Sequence, residues 1–266
     1  MRTPNDKTSN EYKEVYQSYS NIQLVNITLG LIIQENKNTF FEEIYEKINN
    51  ISNSELSFLQ VHLKAIGVSF QDSKYDFDRS LYSDYKKIGF NTMQDYMHWY
   101  IQCRELVELY DLLEIYVEKI YNRQNKKRNL NERKVFLLLP EIVDINLIQD
   151  YMFGGMENSI NILLKYCYYC RNQITHKNGI IDSKFKCDIG ALKPEKDFFN
   201  ENFDILYKDI SNSMDKFTKK KFDIFPKTNQ IGKVVSFRET FINIIRNLFI
   251  CTFEFIEYDY LKQNGT

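Results

Sequence analysis

An arginine and a histidine lie five positions apart in the segment 170–179, whose sequence is CRNQITHKNG. The arginine is Arg171 and the histidine is His176. A guanidinium group presents a planar fork of N–H donors that matches the oxygens of a phosphate. An imidazole exchanges a proton near neutral pH and therefore suits general acid–base catalysis. The pair predicts chemistry at a phosphate ester, in which Arg171 holds the phosphate and His176 transfers a proton.

The spacing of these residues on a helix limits how they can meet. Asn172 and His176 are four positions apart and share a helix face, so the amide of Asn172 can orient the imidazole. Arg171 and His176 diverge by about 140°, taking about 100° per residue. They converge on one phosphate if the helix frays or kinks near His176, where Asn178-Gly179 supplies a helix end, or if two copies of the chain meet across a dimer axis.

This motif resembles the Arg-x(4–6)-His signature of the HEPN superfamily, in which a polar residue, often asparagine, follows the arginine. The resemblance covers mainly residues 91–265. It implies a compact helical bundle and a metal-independent ribonuclease that uses no cofactor, with Arg171, Asn172 and His176 as the catalytic residues. It also implies attack by the ribose 2′-hydroxyl, so that the substrate is RNA and the first product is a cyclic phosphate.

The same resemblance implies partners and a biological role. Members of the superfamily act in toxin–antitoxin, abortive-infection and other antiviral defence systems, and their motif helices pair across a dimer. The chain is therefore expected to form a homodimer, to cleave RNA as an endoribonuclease, and to have an antitoxin or another defence-system protein as a partner.

Two explanations without catalysis remain open for the same residues. Arg171 can form a surface ion pair while His176 occupies a helix C-terminus, where the helix dipole favours cations. Alternatively, the chain is a helical interaction module that has kept the fold without activity, because inactive members of the superfamily exist.

A structural zinc site is a third possibility, since Cys167, Cys170, His176 and Cys187 have the spacing C-x2-C-x5-H-x10-C. The Cys-x-x-Cys pairs of zinc sites normally lie on turns, whereas here the intervening Tyr168-Tyr169 lies inside an apolar helix. Buried free thiols are the expected state of this helix face. A thioredoxin-like redox role would need a preceding strand, and none is predicted. The sequence therefore predicts no metal site.

Basic residues form two further clusters, and a lysine directly follows the histidine. A solvated loop or helix end accounts for each cluster taken alone. In an RNA-binding protein the same residues contact the backbone. We expect RNA contacts at Lys177, Lys126, Lys127 and Arg128. The clusters are Lys126, Lys127, Arg128, Arg133 and Lys134, and Lys219, Lys220 and Lys221.

The elements that position the motif are predicted to be helices. Only 9 glycines and 4 prolines occur in 266 residues, which favours long helices over many short strands. We predict an all-α fold, a HEPN-like helical bundle with an additional N-terminal helical region. The predicted domains are a disordered tail (1–10), an N-terminal helical extension (11–90) and the bundle (91–265).

Apolar residues that recur at three- and four-residue steps predict the positions of the individual helices. The expected helices are 11–35, 40–48, 55–66, 91–123, 156–177, 198–222 and 236–261. Residues 71–90 are expected to form a linker or short helices, and residues 180–194 a loop. The short apolar run 135–139 is either a helical turn or a short strand.

Net charge and cysteine usage exclude some classes of protein. A net charge of −1 lacks the basic excess of a dedicated double-stranded DNA binder, so any contact with nucleic acid must be local. Five cysteines at irregular spacing and a polar start predict free thiols in the reducing cytoplasm. No apolar run approaches the roughly 18 residues that span a bilayer, so no membrane is expected.

Overall fold

A computed structural model describes residues 1–36, 89–124, 134–193, 230–237 and 239–263, together with positions 43, 196, 197, 199 and 225. Within these residues the regular structure is helical, which confirms the all-α class. The helices are α1 (Asn10–Glu35), α2 (Met93–Arg123), α3 (Val135–Ile142), α4 (Ile145–Phe153), α5 (Ser159–Lys177), α6 (Ser183–Ala191) and α7 (Glu239–Gln263). None of these described helices is long and apolar enough to cross a membrane.

Helices α1 and α2 match the predicted helices 11–35 and 91–123. The backbone N–H of Tyr12 donates to Oγ of Ser9 at 3.1 Å, which caps α1. The N–H of Asp95 donates to Oγ1 of Thr92, also at 3.1 Å, so Thr92 caps α2. The predicted helices 40–48, 55–66 and 198–222, and residues 71–88, lie outside the described residues apart from the single positions 43 and 199.

The short apolar run after Lys134 forms helix α3. Of the two predicted alternatives, a helical turn and a short strand, the helical one is therefore found. Pro140 lies within its second half, and the helix ends two residues later at Ile142. Helix α4 follows at once, because the carboxylate of Asp144 accepts the N–H of Asn146 at 3.0 Å and caps its start. Gly154 ends α4 with a φ of 57°, a conformation that favours glycine.

The predicted loop 180–194 was wrong, because residues Ser183–Ala191 form helix α6. The carboxylate of Asp182 accepts the backbone N–H of Phe185 at 2.7 Å and caps the helix. Phe185 and Ile189 are four positions apart and both are buried. The helix is thus stabilised by one cap and two apolar contacts, a pattern too short to give a clear period in the sequence.

Helix α5 lies in the hydrophobic core. It packs against α3, α4 and α6, and α4 also packs against α7. Its buried stripe, Ile160, Leu163, Leu164 and Cys167, follows the three- and four-residue steps of a helix and is fully enclosed. Each such aliphatic side chain contributes about 1.5–3 kcal/mol relative to exposure. The burial of this stripe fixes which side of α5 faces solvent.

A buried ion pair joins α1, α2 and α7. Glu105 on α2 is 1% exposed and accepts hydrogen bonds from Nε (2.5 Å) and Nη2 (2.7 Å) of Arg246 on α7. Gln23 on α1 donates to the same carboxylate at 3.0 Å. The hydrogen bonds from Arg246 to Glu105 raise the pKa of the guanidinium. Every oxygen of the buried carboxylate is therefore paired, as burial of a charge requires.

The residue contacts divide the chain into two compact units. One unit comprises Met1–Ile27 and Ile101–Thr266, and the other comprises Thr28–Tyr100. In the first unit, Ser9 is buried and donates from its N–H and Oγ to Glu257 on α7, at 2.8 Å and 2.5 Å. This contact attaches the segment before α1 to α7. The predicted bundle of residues 91–265 stays a prediction.

In the second unit, the side-chain amide of Gln94 donates a hydrogen bond to the carbonyl oxygen of Ile33 at 3.1 Å. It also contains an aromatic group, in which the rings of Phe90 and Tyr96 lie 5.3 Å and 5.7 Å from the ring of Trp99. Trp99 is 8% exposed. Stacking and edge contacts at this distance stabilise the aromatic group.

Candidate active site

Helix α5 carries the predicted motif in its last two turns. It remains α-helical through Lys177, and the chain then leaves through Asn178 (φ 51°) and Gly179 (φ 74°). This left-handed exit was predicted from the Asn-Gly pair. The backbone N–H groups of both Asn178 and Gly179 donate to the carbonyl oxygen of Gln173. The helix end is therefore closed by hydrogen bonds.

The segment after α5 is held by a second piece of chain. Ile180 and Val234 form an antiparallel β-bridge. The N–H of Ile181 donates to the carbonyl of Lys233 at 2.7 Å, and the N–H of Val235 donates to the carbonyl of Gly179 at 2.9 Å. The side chain of Gln173 also donates to the carbonyl of Ile180. These bonds brace the helix end, and His176 lies within a regular turn.

Arg171 points towards α2 and is held by Asp111. Its Nε donates to Oδ1 of Asp111 at 2.9 Å, its Nη2 lies 2.8 Å from the same oxygen in an ion pair, and its Nη1 donates to Oδ1 of Asn172 at 3.1 Å. A guanidinium has five N–H donors, of which these hydrogen bonds use two. N–H donors on both terminal nitrogens remain for an anion. The side chains of Arg171 and Asp111 are 24% and 40% exposed, so a phosphate can approach.

Asn172 has a different neighbour from the one expected. The sequence predicted that its amide would orient the imidazole of His176, whereas its carbonyl oxygen accepts from Arg171. His176 and Lys177 are exposed in the last turn of α5. Within the part of the chain that the structure describes, the imidazole makes no hydrogen bond or ion pair. Asn172 is thus attached to the guanidinium and not to the histidine.

The helix keeps the two predicted catalytic groups apart within one chain. Because α5 does not fray before Lys177, Arg171 and His176 still diverge by about 140° around its axis. Of the two ways in which they could meet, the kinked helix end is not found. The pairing of two copies remains as the way in which they could act on one phosphate.

The residues that sequence reasoning missed lie on neighbouring helices. Asp111 is 60 positions from Arg171 and was one of many acidic residues on α2, so no local signal distinguished it. Lys134 lies beside α5, with its Nζ 5.8 Å from the ring centre of Tyr168. The predicted RNA contacts Lys126, Lys127 and Arg128 lie outside the described residues.

The cysteines do not support the zinc alternative. Cys167 and Cys170 are completely buried, whereas His176 and Cys187 are exposed. Burial raises the pKa of both buried thiols well above its usual range, which disfavours the thiolate that zinc binds. Among the described residues, no group of three or more His, Cys, Asp or Glu side chains is arranged to hold a metal ion.

A cavity of about 330 Å³ has no motif residue in its lining. Arg123 in its wall is already paired with Glu11 at 2.9 Å and lies 4.2 Å above the ring centre of Tyr260. None of the predicted site residues contributes to this cavity. Its lining consists of Ile120, Arg123, Gln124, Ile142, Ile256, Asp259 and Tyr260.

Comparison of the chain with protein-family models, with curated proteins and with solved structures gave no match.

Proposed function

We propose that this chain is a metal-independent endoribonuclease of the HEPN type, with Arg171, Asn172 and His176 in its active site. The observation that carries the proposal is the set of contacts that the Arg171 guanidinium makes. Asp111 and Asn172 fix this guanidinium and leave N–H donors on both terminal nitrogens unused. A phosphate that binds there lies beside a helix whose last turn exposes His176. The motif resemblance supplies the link to RNA.

In the proposed reaction, an RNA phosphodiester is cleaved by its own ribose. The imidazole of His176 accepts the proton of the 2′-hydroxyl as the 2′-oxygen forms a bond to phosphorus. The bond from phosphorus to the 5′-oxygen breaks, and this oxygen takes a proton from an imidazolium. The products are a 2′,3′-cyclic phosphate and a 5′-hydroxyl. The unused N–H groups of Arg171 stabilise the charge that develops on the non-bridging oxygens.

The proposed enzyme is a homodimer in which the C-terminal ends of two α5 helices meet. The regular turn at His176 supports this arrangement, because one helix does not bring its own Arg171 and His176 onto one face. In an isologous dimer each chain contributes the same surface. Arg171 of one chain can then act with His176 of the other. Two equivalent sites result.

The proposed role follows the resemblance. A ribonuclease of this type acts in the cytoplasm as a toxin, as an abortive-infection protein or as another antiviral defence effector, and an antitoxin or other defence-system protein restrains it. Its HEPN-like bundle comprises residues 91–265, and the N-terminal helices are an addition to it. RNA is its substrate.

The ion pair between Arg171 and Asp111 also favours a second candidate, a helical interaction module without catalysis. A partly exposed ion pair stabilises a helix contact whether or not a phosphate ever binds. In that case His176 is a surface histidine at a helix end. Only measurement of activity separates the two candidates.

The test is incubation of the wild-type protein and a His176→Ala variant with total RNA and with tRNA. We expect the wild type to cleave, in the presence of EDTA as well, and to leave 2′,3′-cyclic phosphate ends, while His176→Ala does not cleave. His98→Ala removes another exposed histidine and is the matched control, which should cleave as the wild type does. Equal cleavage by His176→Ala, complete loss in EDTA, or 3′-hydroxyl ends would contradict the proposal.

A further inference from the structure

The solvent face of α5 carries aromatic and basic side chains that lead to His176. At about 100° per residue, Lys165, Tyr169, Asn172 and His176 lie within about 60° of one another around the helix, with Tyr168 at the side nearer Arg171. Each of these residues is exposed or partly buried. The stripe from Lys165 to His176 is about 16 Å long, at about 1.5 Å per residue.

Three neighbouring aromatic rings, with two lysines beside them, lie on and next to this face. The ring centres of Tyr168 and Tyr169 are 5.5 Å apart, and the ring of Phe136 on α3 lies 5.8 Å from that of Tyr168. Nζ of Lys134 lies 5.8 Å from the centre of the Tyr168 ring, and Nζ of Lys165 lies 6.0 Å from that of Phe136. The rings are thus held by their neighbours, with Lys165 beside Phe136 and Lys134 beside Tyr168.

The surrounding charges leave the face suited to a nucleic acid. Burial, the nearby Asp188 and the ring of Tyr168 raise the pKa of Tyr169 while Lys134 lowers it, so the phenol stays neutral at physiological pH. Asp111 on α2 is already paired with Arg171. Aromatic rings with basic groups beside them are the features that bind single strands, since bases stack on the rings while cations contact the phosphates.

We propose that the substrate is bound as single-stranded RNA along this face of α5, with bases stacked on Tyr168 and Tyr169 and with Lys134 and Lys165 at its phosphates. The inference rests on the proposed function, because it takes His176 as the place where the strand is cut. A duplex keeps its bases stacked inside the helix and does not expose them to these rings. Unpaired loops and ends of structured RNAs are therefore the substrate class.

The test measures binding in a His176→Ala background, in which bound RNA is not cut. Fluorescence anisotropy gives the Kd of a labelled single-stranded RNA oligonucleotide of mixed sequence and of the same strand annealed to its complement. Tyr169→Leu should weaken single-strand binding roughly 5- to 150-fold, as expected for the loss of one stacked base, whereas Tyr169→Phe should keep it. Lys165→Gln should make the dependence of log K on log salt shallower by about 0.7.

Matched controls are Tyr151→Leu and Lys262→Gln, which remove an exposed tyrosine on α4 and an exposed lysine on α7 and should leave the Kd unchanged. Circular dichroism verifies that each variant is folded. Cleavage is compared with the same Tyr169 substitutions in chains that keep His176. If the wild type cleaves RNA but Tyr169→Leu binds and cleaves as well as Tyr169→Phe, the binding face is wrong and the proposed function stands. Equal affinity for the duplex also overturns the binding face. If the wild type neither binds nor cleaves RNA, the proposed function is wrong, and the binding face is wrong with it.

Discussion

Substitution of Asp111 tests whether the ion pair with Arg171 serves catalysis. Asp111→Ala removes the acceptor of the hydrogen bond from Nε at 2.9 Å and the ion-pair contact with Nη2 at 2.8 Å, and it leaves the guanidinium held by Asn172 alone. The pair is partly exposed, with side-chain exposures of 24% and 40%. Its loss should therefore cost at most about 1 kcal/mol of folding free energy. For a chain of this size that corresponds to a fall in Tm of about 2–4 °C.

The expected effect on RNA cleavage is larger than the effect on stability. A guanidinium displaced by about 1 Å from the scissile phosphate slows cleavage about 100-fold, which corresponds to about 2.7 kcal/mol of transition-state stabilisation. Asp111→Asn keeps one acceptor oxygen for Arg171, so its loss should be intermediate, roughly 10-fold. A fall in rate of this size in a folded protein cannot be attributed to unfolding.

Single-turnover cleavage rates and thermal melts of the same variants supply the assay. Because Asp111 acts through Arg171, the double variant Asp111→Ala/Arg171→Ala should be no slower than Arg171→Ala alone. Glu108→Ala is the matched control, since Glu108 forms an ion pair of similar exposure with Arg104 on α2 at 2.7 Å. Its cleavage rate should not change. An unchanged rate in Asp111→Ala, or additive losses in the double variant, would refute the role of the ion pair.

Two further predictions concern the core. Arg246→Ala should cost about 3 kcal/mol in urea unfolding, because it leaves Glu105 buried and unpaired, and a loss below about 1 kcal/mol would contradict this. A maleimide should modify exposed Cys187 in the native protein but Cys167 and Cys170 only after unfolding. Burial raises the pKa of these two thiols above 9.0, so the folded state retains protons that the unfolded state loses, and stability should fall as pH rises above about 9.

The sequence predicted those parts of the fold that depend on local physics. The Asn178-Gly179 pair marked a helix end because a left-handed exit needs only neighbouring residues. The long helices α1 and α2 were predicted because their apolar periods extend over many turns. Helix α6 was missed because its nine residues bury only Phe185 and Ile189.

The candidate site was predictable only in part. The sequence identified Arg171 and His176 by residue type and spacing, but their surroundings depend on tertiary contacts. Asp111 reaches Arg171 from a position 60 residues away, and the bridge between Ile180 and Val234 joins segments more than 50 residues apart. Neither contact leaves a pattern in the local sequence, so neither was predicted.

The most direct test of the account uses a heterodimer of two inactive chains. Arg171→Ala and His176→Ala chains are co-expressed with different tags and purified through both tags in turn. If Arg171 of one chain acts with His176 of the other, one of the two sites in the heterodimer is intact, and about half of the wild-type rate of RNA cleavage should return. A heterodimer as inactive as either variant alone would contradict the shared site.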